Sequence, residues 1–127
     1  MRDCCGALGN PVPLTHRKLA ENNFSQADAA PSSEWKVTMY FYAALHAVNH
    51  HEFGARVAPL TFRHEDRDAL IAIDPRYQAI ESPYRQLKGL ATTARYLPKM
   101  HPMSSQQVDA ARTYAEQVFK HVAIKVP

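Results

Sequence analysis

An arginine and a histidine in the last third of the chain could together do acid–base chemistry on a phosphate ester. Arg95 and His101 enclose five residues in the string RYLPKMH, where Pro98, with Pro102 just beyond, disfavours helical geometry. An imidazole moves protons, and a guanidinium group holds a phosphoryl oxygen. The two groups suffice for attack by a ribose 2′-hydroxyl without a metal ion. The pair is therefore a candidate catalytic site.

The helices on either side of this connection should bring the two side chains together. One helix is predicted from about 83 to 96, and the next begins after Ser104, whose spacing from Gln107 is typical of a capping box. Helices joined by so short a link normally lie antiparallel, with axes about 8 to 10 Å apart. Lys99 and the free amide groups at the start of the last helix lie at the same corner. Together they would attract a phosphate group.

The longest apolar stretch, from Trp35 to Phe53, predicts a central helix that is buried on most sides. Residues 37 to 48 include no lysine, arginine, aspartate or glutamate. Residues at helical spacing are Trp35, Met39, Tyr42, His46, Asn49 and Phe53, with Phe41, Ala44, Leu45 and Val48 widening the stripe. The stretch is too short and polar for a membrane span, which needs about 20 apolar residues. Its many apolar faces predict a homodimer.

The other apolar segments also repeat at helical spacing, which predicts an all-α, up-down bundle of four to five helices. We expect one domain over residues 14–127 after a flexible arm over residues 1–13. A first helix should run from Thr15 to about Ala27, a third should start at Thr61, and a short turn should occupy 75–81. The residues expected to pack are Ala20, Phe24, Ala27, Phe62, Leu70, Ile71, Ile73, Tyr84, Leu87, Ala91, Ala94, Val108, Ala111, Ala115, Val118 and Val122.

Charge is distributed unevenly along the chain, whose net charge is +3. The net charge of residues 63–74 is −2, because this segment has two arginines and four carboxylates. The net charge of residues 75–103 is +4, because this segment has five cations and one carboxylate, Glu81. A basic segment favours a polyanionic partner, and a solvated helix face is an equal alternative. The candidate RNA-binding residues are Arg85, Lys88 and Lys99, with Tyr84 and Tyr96 as candidates for stacking on bases.

A second constellation lies on the central helix, where His46 and His50 are one turn apart. With His51, His64 and Glu52 as further ligands, this spacing suits zinc, nickel or iron, and bundles of the DinB-like type have a similar histidine triad. A core histidine bonded to a tyrosine or a carbonyl is the preferred interpretation of His46. We therefore predict no metal ion and no cofactor, and keep a DinB-like metal enzyme as an alternative.

The first ten residues, MRDCCGALGN, lack the apolar run of a secretory signal, so we expect a cytoplasmic location. Cys4 and Cys5 are adjacent, where direct pairing would be strained, and no third cysteine completes a zinc site. We assign them no functional role.

The string RYLPKMH resembles the signature of HEPN domains, small helical bundles of which many are ribonucleases. That signature is an arginine, four to six residues and a histidine, between the last two long helices. The strings FYAALHAV at 41–48 and TTARY at 92–96 also resemble bacterial HEPN-like proteins of unassigned role. Overall the resemblance extends from about Thr15 to Val122.

The resemblance implies a homodimer that cleaves single-stranded RNA by 2′-hydroxyl transesterification where two Arg95 and His101 corners meet. It also implies a place in a toxin or defence system, with an antitoxin or a nucleotidyltransferase as partner. An alternative within the same fold is a catalytically inactive module that binds RNA, a nucleotide or a partner protein. His64 and Arg67 also resemble a feature of the HEPN-like proteins, and the sequence assigns them no role.

Overall fold

Helices form the regular structure of this chain in a computed structural model that describes residues 15–54, 56, 61–96 and 102–127. The helices are α1 (His16–Ala29), α2 (Ser33–Phe53), α3 (His64–Ile73), a 3₁₀ helix (Pro75–Ile80), α4 (Glu81–Tyr96) and α5 (Ser105–His121). No strand occurs in these residues, so the all-α bundle is confirmed. The predicted arm and the connection from Leu97 to His101 lie outside them.

Side chains fix the starts of three helices where the sequence predicts them. The hydroxyls of Thr15 and Ser32 each accept a hydrogen bond, at 3.1 Å, from the backbone N–H three residues later. Before α5, Ser104 Oγ accepts from the Gln107 N–H at 3.1 Å, and Gln107 Oε1 accepts from the Ser104 N–H at 2.9 Å. Each such cap typically stabilises the protein by about 1 kcal/mol.

Helix α2 is central, because α1, α4 and α5 all pack against it. Its buried residues are Val37, Thr38, Tyr40, Phe41, Ala43, Ala44, Leu45, Ala47, Val48 and Asn49. Burial on most sides is therefore confirmed, but the predicted stripe is not the most buried face. Trp35 is 55% exposed, and Met39, Tyr42, His46 and Phe53 are half-buried. Within the described residues no helix combines the length and apolarity needed to cross a bilayer.

Helix α3 differs most from its prediction. It begins at His64 rather than Thr61, because Asp66 Oδ2 accepts a hydrogen bond from the backbone N–H of Arg63 at 2.9 Å. Ile71 is buried as expected, but Ile73 is 79% exposed, so its predicted packing is wrong. Residues two positions apart on an α-helix point in directions about 200° apart, so Ile73 points away from the face that holds Ile71. That face also holds Arg67, which is buried.

The second half of the fold follows its predicted pattern closely. The short turn is the 3₁₀ helix Pro75–Ile80, and it leads directly into α4. The buried residues of α4 are Tyr84, Leu87, Ala91 and Ala94. In α5 and just beyond it, Ala111, Ala115, Val118 and Val122 are buried, and Val108 is half-buried. Both predicted inner stripes are confirmed.

An ion pair connects the first described helix to the last. Arg112 on α5 donates from Nε to Asp28 Oδ1 at 3.0 Å and from Nη2 to Asp28 Oδ2 at 3.2 Å. The hydroxyl of Tyr40, on α2, donates to the same carboxylate. These groups hold the pKa of Asp28 below its usual value despite partial burial. Three helices are therefore joined at one carboxylate.

Two glycines give a matched test of the backbone. Gly54 ends α2 at φ 63° and ψ −130°, a conformation that side chains rarely adopt, whereas Gly89 is inside α4. An added Cβ would meet no atom within 4 Å at either position. We expect Gly54→Ala to lower the free energy of unfolding by about 1 to 3 kcal/mol, and Gly89→Ala to raise it by about 0.5 to 1 kcal/mol. Urea denaturation of both variants checks this, and a stabilising Gly54→Ala would contradict it.

Candidate functional site

Arg95 lies in the last turn of α4, where aromatic rings surround its guanidinium group. Its Cζ atom is 5.9 Å from the ring centroids of both Phe41 and Tyr42, and 5.6 Å from that of Tyr96. The Nη1 atom is buried and has no hydrogen-bond partner among the described residues. Ring faces attract a cation without using its N–H donors. The guanidinium is therefore held in position with donors left for an anion.

The other predicted site residues near this corner have different placements. Tyr96 is 72% exposed, so its ring is open to a stacking partner as well as close to Arg95. His101 and Lys99 lie outside the described residues. The structure therefore brings together Arg95 and Tyr96, and leaves the predicted role of the histidine untested.

The predicted RNA-binding residues in the first half of α4 have partners within the protein. Arg85 Nε donates to Glu81 Oε2 at 2.8 Å, and Lys88 forms an ion pair with Asp68 of α3. Tyr84 is only 2% exposed, so its ring belongs to the core and does not present a stacking surface. All five side chains line one cavity of about 190 Å³. This part of the basic segment is therefore less positive than its sequence indicates.

Arg67, to which the sequence assigned no role, is buried on the inner face of α3. Its side chain is buried, with 5% exposure, and its Nε donates to Asn49 Oδ1 at 2.9 Å. Its Cζ lies 5.0 Å from the ring centroid of Phe62. It forms no ion pair with any carboxylate in the described ranges. The signal for its burial was its position one helical turn before Ile71, on the apolar face of α3.

His64 is an exposed residue at the start of α3, close enough to both arginines to feel their charges. Its ring stacks on Phe41 with centroids 6.1 Å apart, so it touches the same aromatic ring as Arg95. Burial lowers the pKa of His64, and the positive charges of Arg67, Lys88 and Arg95 lower it further. His64 is therefore neutral at pH 7. We call Arg67, Arg95, His64 and Phe41 the arginine cluster.

A pair of histidines adjoins this cluster on its α1 side. His16 Nδ1 and His46 Nδ1 are 3.3 Å apart, and the two rings stack with centroids 5.5 Å apart. Burial lowers the pKa of His46 to about 4, and His16 and Arg67 add to the effect. Burial likewise lowers the pKa of His16, again with a contribution from Arg67. Both rings are neutral at pH 7. The Nδ1–H group of one ring therefore donates a hydrogen bond to the unprotonated Nδ1 of the other. His16 Nε2 and His50 Nδ1 are buried without a partner in the described part of the chain.

The remaining candidate metal ligands of α2 face elsewhere. The hydroxyl of Tyr77 donates to Glu52 Oε1 at 2.9 Å, and His51 Nδ1 is 2.8 Å from the same hydroxyl oxygen. His51 and Glu52 therefore bind the 3₁₀ helix, whereas His46 binds α1. Over the residues that the structure describes, no three His, Cys, Asp or Glu side chains are placed to hold a metal ion.

Arg67, which is buried, and Arg95, which is half-buried, thus have no carboxylate partner among the described residues. Four other arginines, each at least partly exposed, do have carboxylate partners: Arg17, Arg76, Arg85 and Arg112. A buried cation without a counter-charge is costly, and Arg67 is the more deeply buried of the two. Comparison with protein-family models, with curated proteins and with solved structures gives no match to this chain.

Proposed function

We propose that this protein is a metal-independent endoribonuclease of HEPN type that acts on single-stranded RNA. One observation carries the proposal: the buried Nη1 of Arg95 has no acceptor among the described residues, although three aromatic rings hold its guanidinium in place. A nonbridging phosphate oxygen supplies such an acceptor. The resemblance of RYLPKMH to the HEPN signature supports the same assignment of Arg95.

In the proposed reaction, Arg95 holds the scissile phosphate and His101 transfers the proton. The ribose 2′-oxygen attacks phosphorus and gives up its proton, and the bond from phosphorus to the 5′-oxygen breaks. The departing oxygen takes up a proton, so the products are a 2′,3′-cyclic phosphate and a 5′-hydroxyl. The guanidinium stabilises the charge that grows on the phosphoryl oxygens. The exposed ring of Tyr96 gives a neighbouring base a surface for stacking.

The proposed enzyme is a homodimer whose site combines the Arg95 and His101 corners of two copies. Trp35 and Tyr96 support this arrangement, because large aromatic side chains that are 55% and 72% exposed are common in interfaces. Glu34, beside Trp35, accepts a hydrogen bond from the backbone N–H of Met103 at 3.0 Å. The start of α2 therefore lies at the end of the bundle where α5 begins. The resemblance adds an antitoxin or a nucleotidyltransferase as the proposed partner.

A catalytically inactive module that binds a nucleotide is the second candidate. The observation that favours it is the pairing of Arg85 with Glu81 and of Lys88 with Asp68, which removes free positive charge from the outer side of α4. A long RNA needs an extended basic surface. A nucleotide needs only the arginine cluster.

Incubation of the purified protein with labelled single-stranded RNA in EDTA tests the proposal. We expect cleavage with 2′,3′-cyclic phosphate ends, because neither the arginine nor the histidine step uses a metal. Sedimentation should give about twice the chain mass of 14.3 kDa. RNA that is bound but left uncut would favour the inactive module, and a purely monomeric active enzyme would remove the two-copy site.

A further inference from the structure

We propose that Arg67 is the centre of a second anion site, lying against α2, α3 and α4, that takes a phosphate group. Its residues differ from the pair assigned to RNA cleavage, and it does not depend on that activity. Arg67 itself is 95% buried, since only 5% of its surface is exposed. Its Nε donates to Asn49 Oδ1 at 2.9 Å. The outer edge of the guanidinium, with Nη1 and Nη2, has no carboxylate among the described residues.

The carboxylates of the chain are almost all accounted for. Twelve Asp and Glu residues occur, and Asp3 alone lies outside the described residues. Of the three carboxylates nearest in sequence, Asp66 accepts from the backbone of Arg63, Asp68 pairs with Lys88, and Glu65 is exposed to solvent. Burying most of a guanidinium group without a counter-charge is costly in general. A bound anion removes that cost, which is why we infer a ligand rather than a structural role alone.

Further polar atoms around Arg67 suit a phosphate. The hydroxyl of Tyr84 is buried and lies within reach of the Arg67 guanidinium, which opposes the rise in the Tyr84 pKa that burial causes. His16 Nε2 is also buried and unpartnered within the described ranges, and burial and the charge of Arg67 both lower the pKa of His16. Neutral imidazole and hydroxyl groups donate hydrogen bonds without adding charge. A planar guanidinium edge binds two phosphate oxygens at once.

Thermal unfolding with inorganic phosphate tests the site. We expect 20 mM phosphate to raise the midpoint by about 5 °C over chloride at equal ionic strength, for a dissociation constant on the order of 1 mM. The double variant Asn49→Leu/Arg67→Met, which replaces both polar partners by apolar groups of similar shape, should lose this shift. Its midpoint without phosphate should equal or exceed that of the wild type. Arg17→Ala, an exposed and paired arginine, should keep the shift.

Several outcomes would overturn the proposal. These are a wild type without a phosphate-specific shift, a double variant that keeps the shift, or a double variant that folds but melts well below the wild type. Loss of the shift in Arg95→Ala would place the phosphate at that residue instead. If the double variant does not fold, the Arg67→Lys variant is tested in its place. A phosphate-induced rise of the midpoint as large as that of the wild type would then contradict a contact through the planar guanidinium group. RNA cleavage is scored separately, so failure of this site and failure of the ribonuclease assignment are distinguishable.

Discussion

Replacing Arg95 with alanine should lower the rate of RNA cleavage by about 100- to 1,000-fold while leaving the fold nearly intact. A charged donor aimed at a developing negative charge typically contributes a factor of this size. The side chain is half-buried at a helix end, and losing its contacts with three rings should cost about 1 to 2 kcal/mol of stability. His101→Ala should lower the rate by about 100- to 10,000-fold, through loss of proton transfer. Single-turnover cleavage in EDTA measures both.

Two controls separate the chemistry from the scaffold. Arg95→Lys keeps the charge but not the planar fork, so it should recover only part of the lost rate. Arg17→Ala removes an exposed arginine whose side chain is 55% accessible and paired with Glu21, and it should cleave like the wild type. Equal cleavage by the wild type, Arg95→Ala and His101→Ala would show that the corner is structural and that the site assignment is wrong.

Truncating Phe41 should give the largest loss of stability, about 3 to 5 kcal/mol for Phe41→Ala. The ring is completely buried and contacts Tyr84, His64 and Arg95. Phe24→Ala should lose a similar amount, because Phe24 is also completely buried. Urea denaturation of the two variants checks the magnitude. A loss below about 1.5 kcal/mol for Phe41→Ala would contradict its central place in the core.

Leucine at the same positions separates packing from positioning. Phe41→Leu and Phe24→Leu keep most of the buried volume, so each should fold with a loss of about 1 to 2 kcal/mol. Only Phe41→Leu removes a ring from the guanidinium of Arg95, and it should slow RNA cleavage; Phe24 packs against Phe119 and Tyr40 instead. Equal cleavage by the two leucine variants would show that the ring does not position Arg95.

The helix starts were predictable because their signals are local. Thr15, Ser32 and Ser104 each cap a helix within three residues, and Gly54 ends one with a positive φ. Such caps depend on the chain immediately around them and hardly on the rest of the fold. The inner stripe of α4 was predictable for a related reason, since its exposed face is clearly polar and only one packing direction remains.

The partner of Arg67 was harder to predict than its burial, because that partner is distant in the sequence. Asn49 holds its Nε, and nothing near Arg67 in sequence shows that its side chain reaches that part of α2. The orientation of α2 was equally hidden, since apolar residues surround the helix and spacing alone did not distinguish Trp35 from Phe41. Pairing of Arg85 and Lys88 with carboxylates also emerges only when the chain is folded.

The histidine pair did have a signal in the sequence that remained unused. His16 and His46 are each fifteen positions from Pro31, which lies between α1 and α2. Two antiparallel helices joined by a short loop place residues equidistant from that loop side by side. Polar residues placed symmetrically about the loop of a predicted helical hairpin are therefore predicted to be neighbours.

The contact between Asp28 and Arg112 affects how this chain folds as a ribosome makes it. The two residues are 84 positions apart, so α1 leaves the ribosome well before α5 exists. At a translation rate of about 5 to 20 residues per second, α5 is made several seconds or more after α1. The ion pair between Asp28 and Arg112 can form only then. Over that interval Phe24 lacks Phe119, its aromatic neighbour on α5, and remains accessible to chaperones. Completion of the core therefore depends on the last helix to be translated among those described.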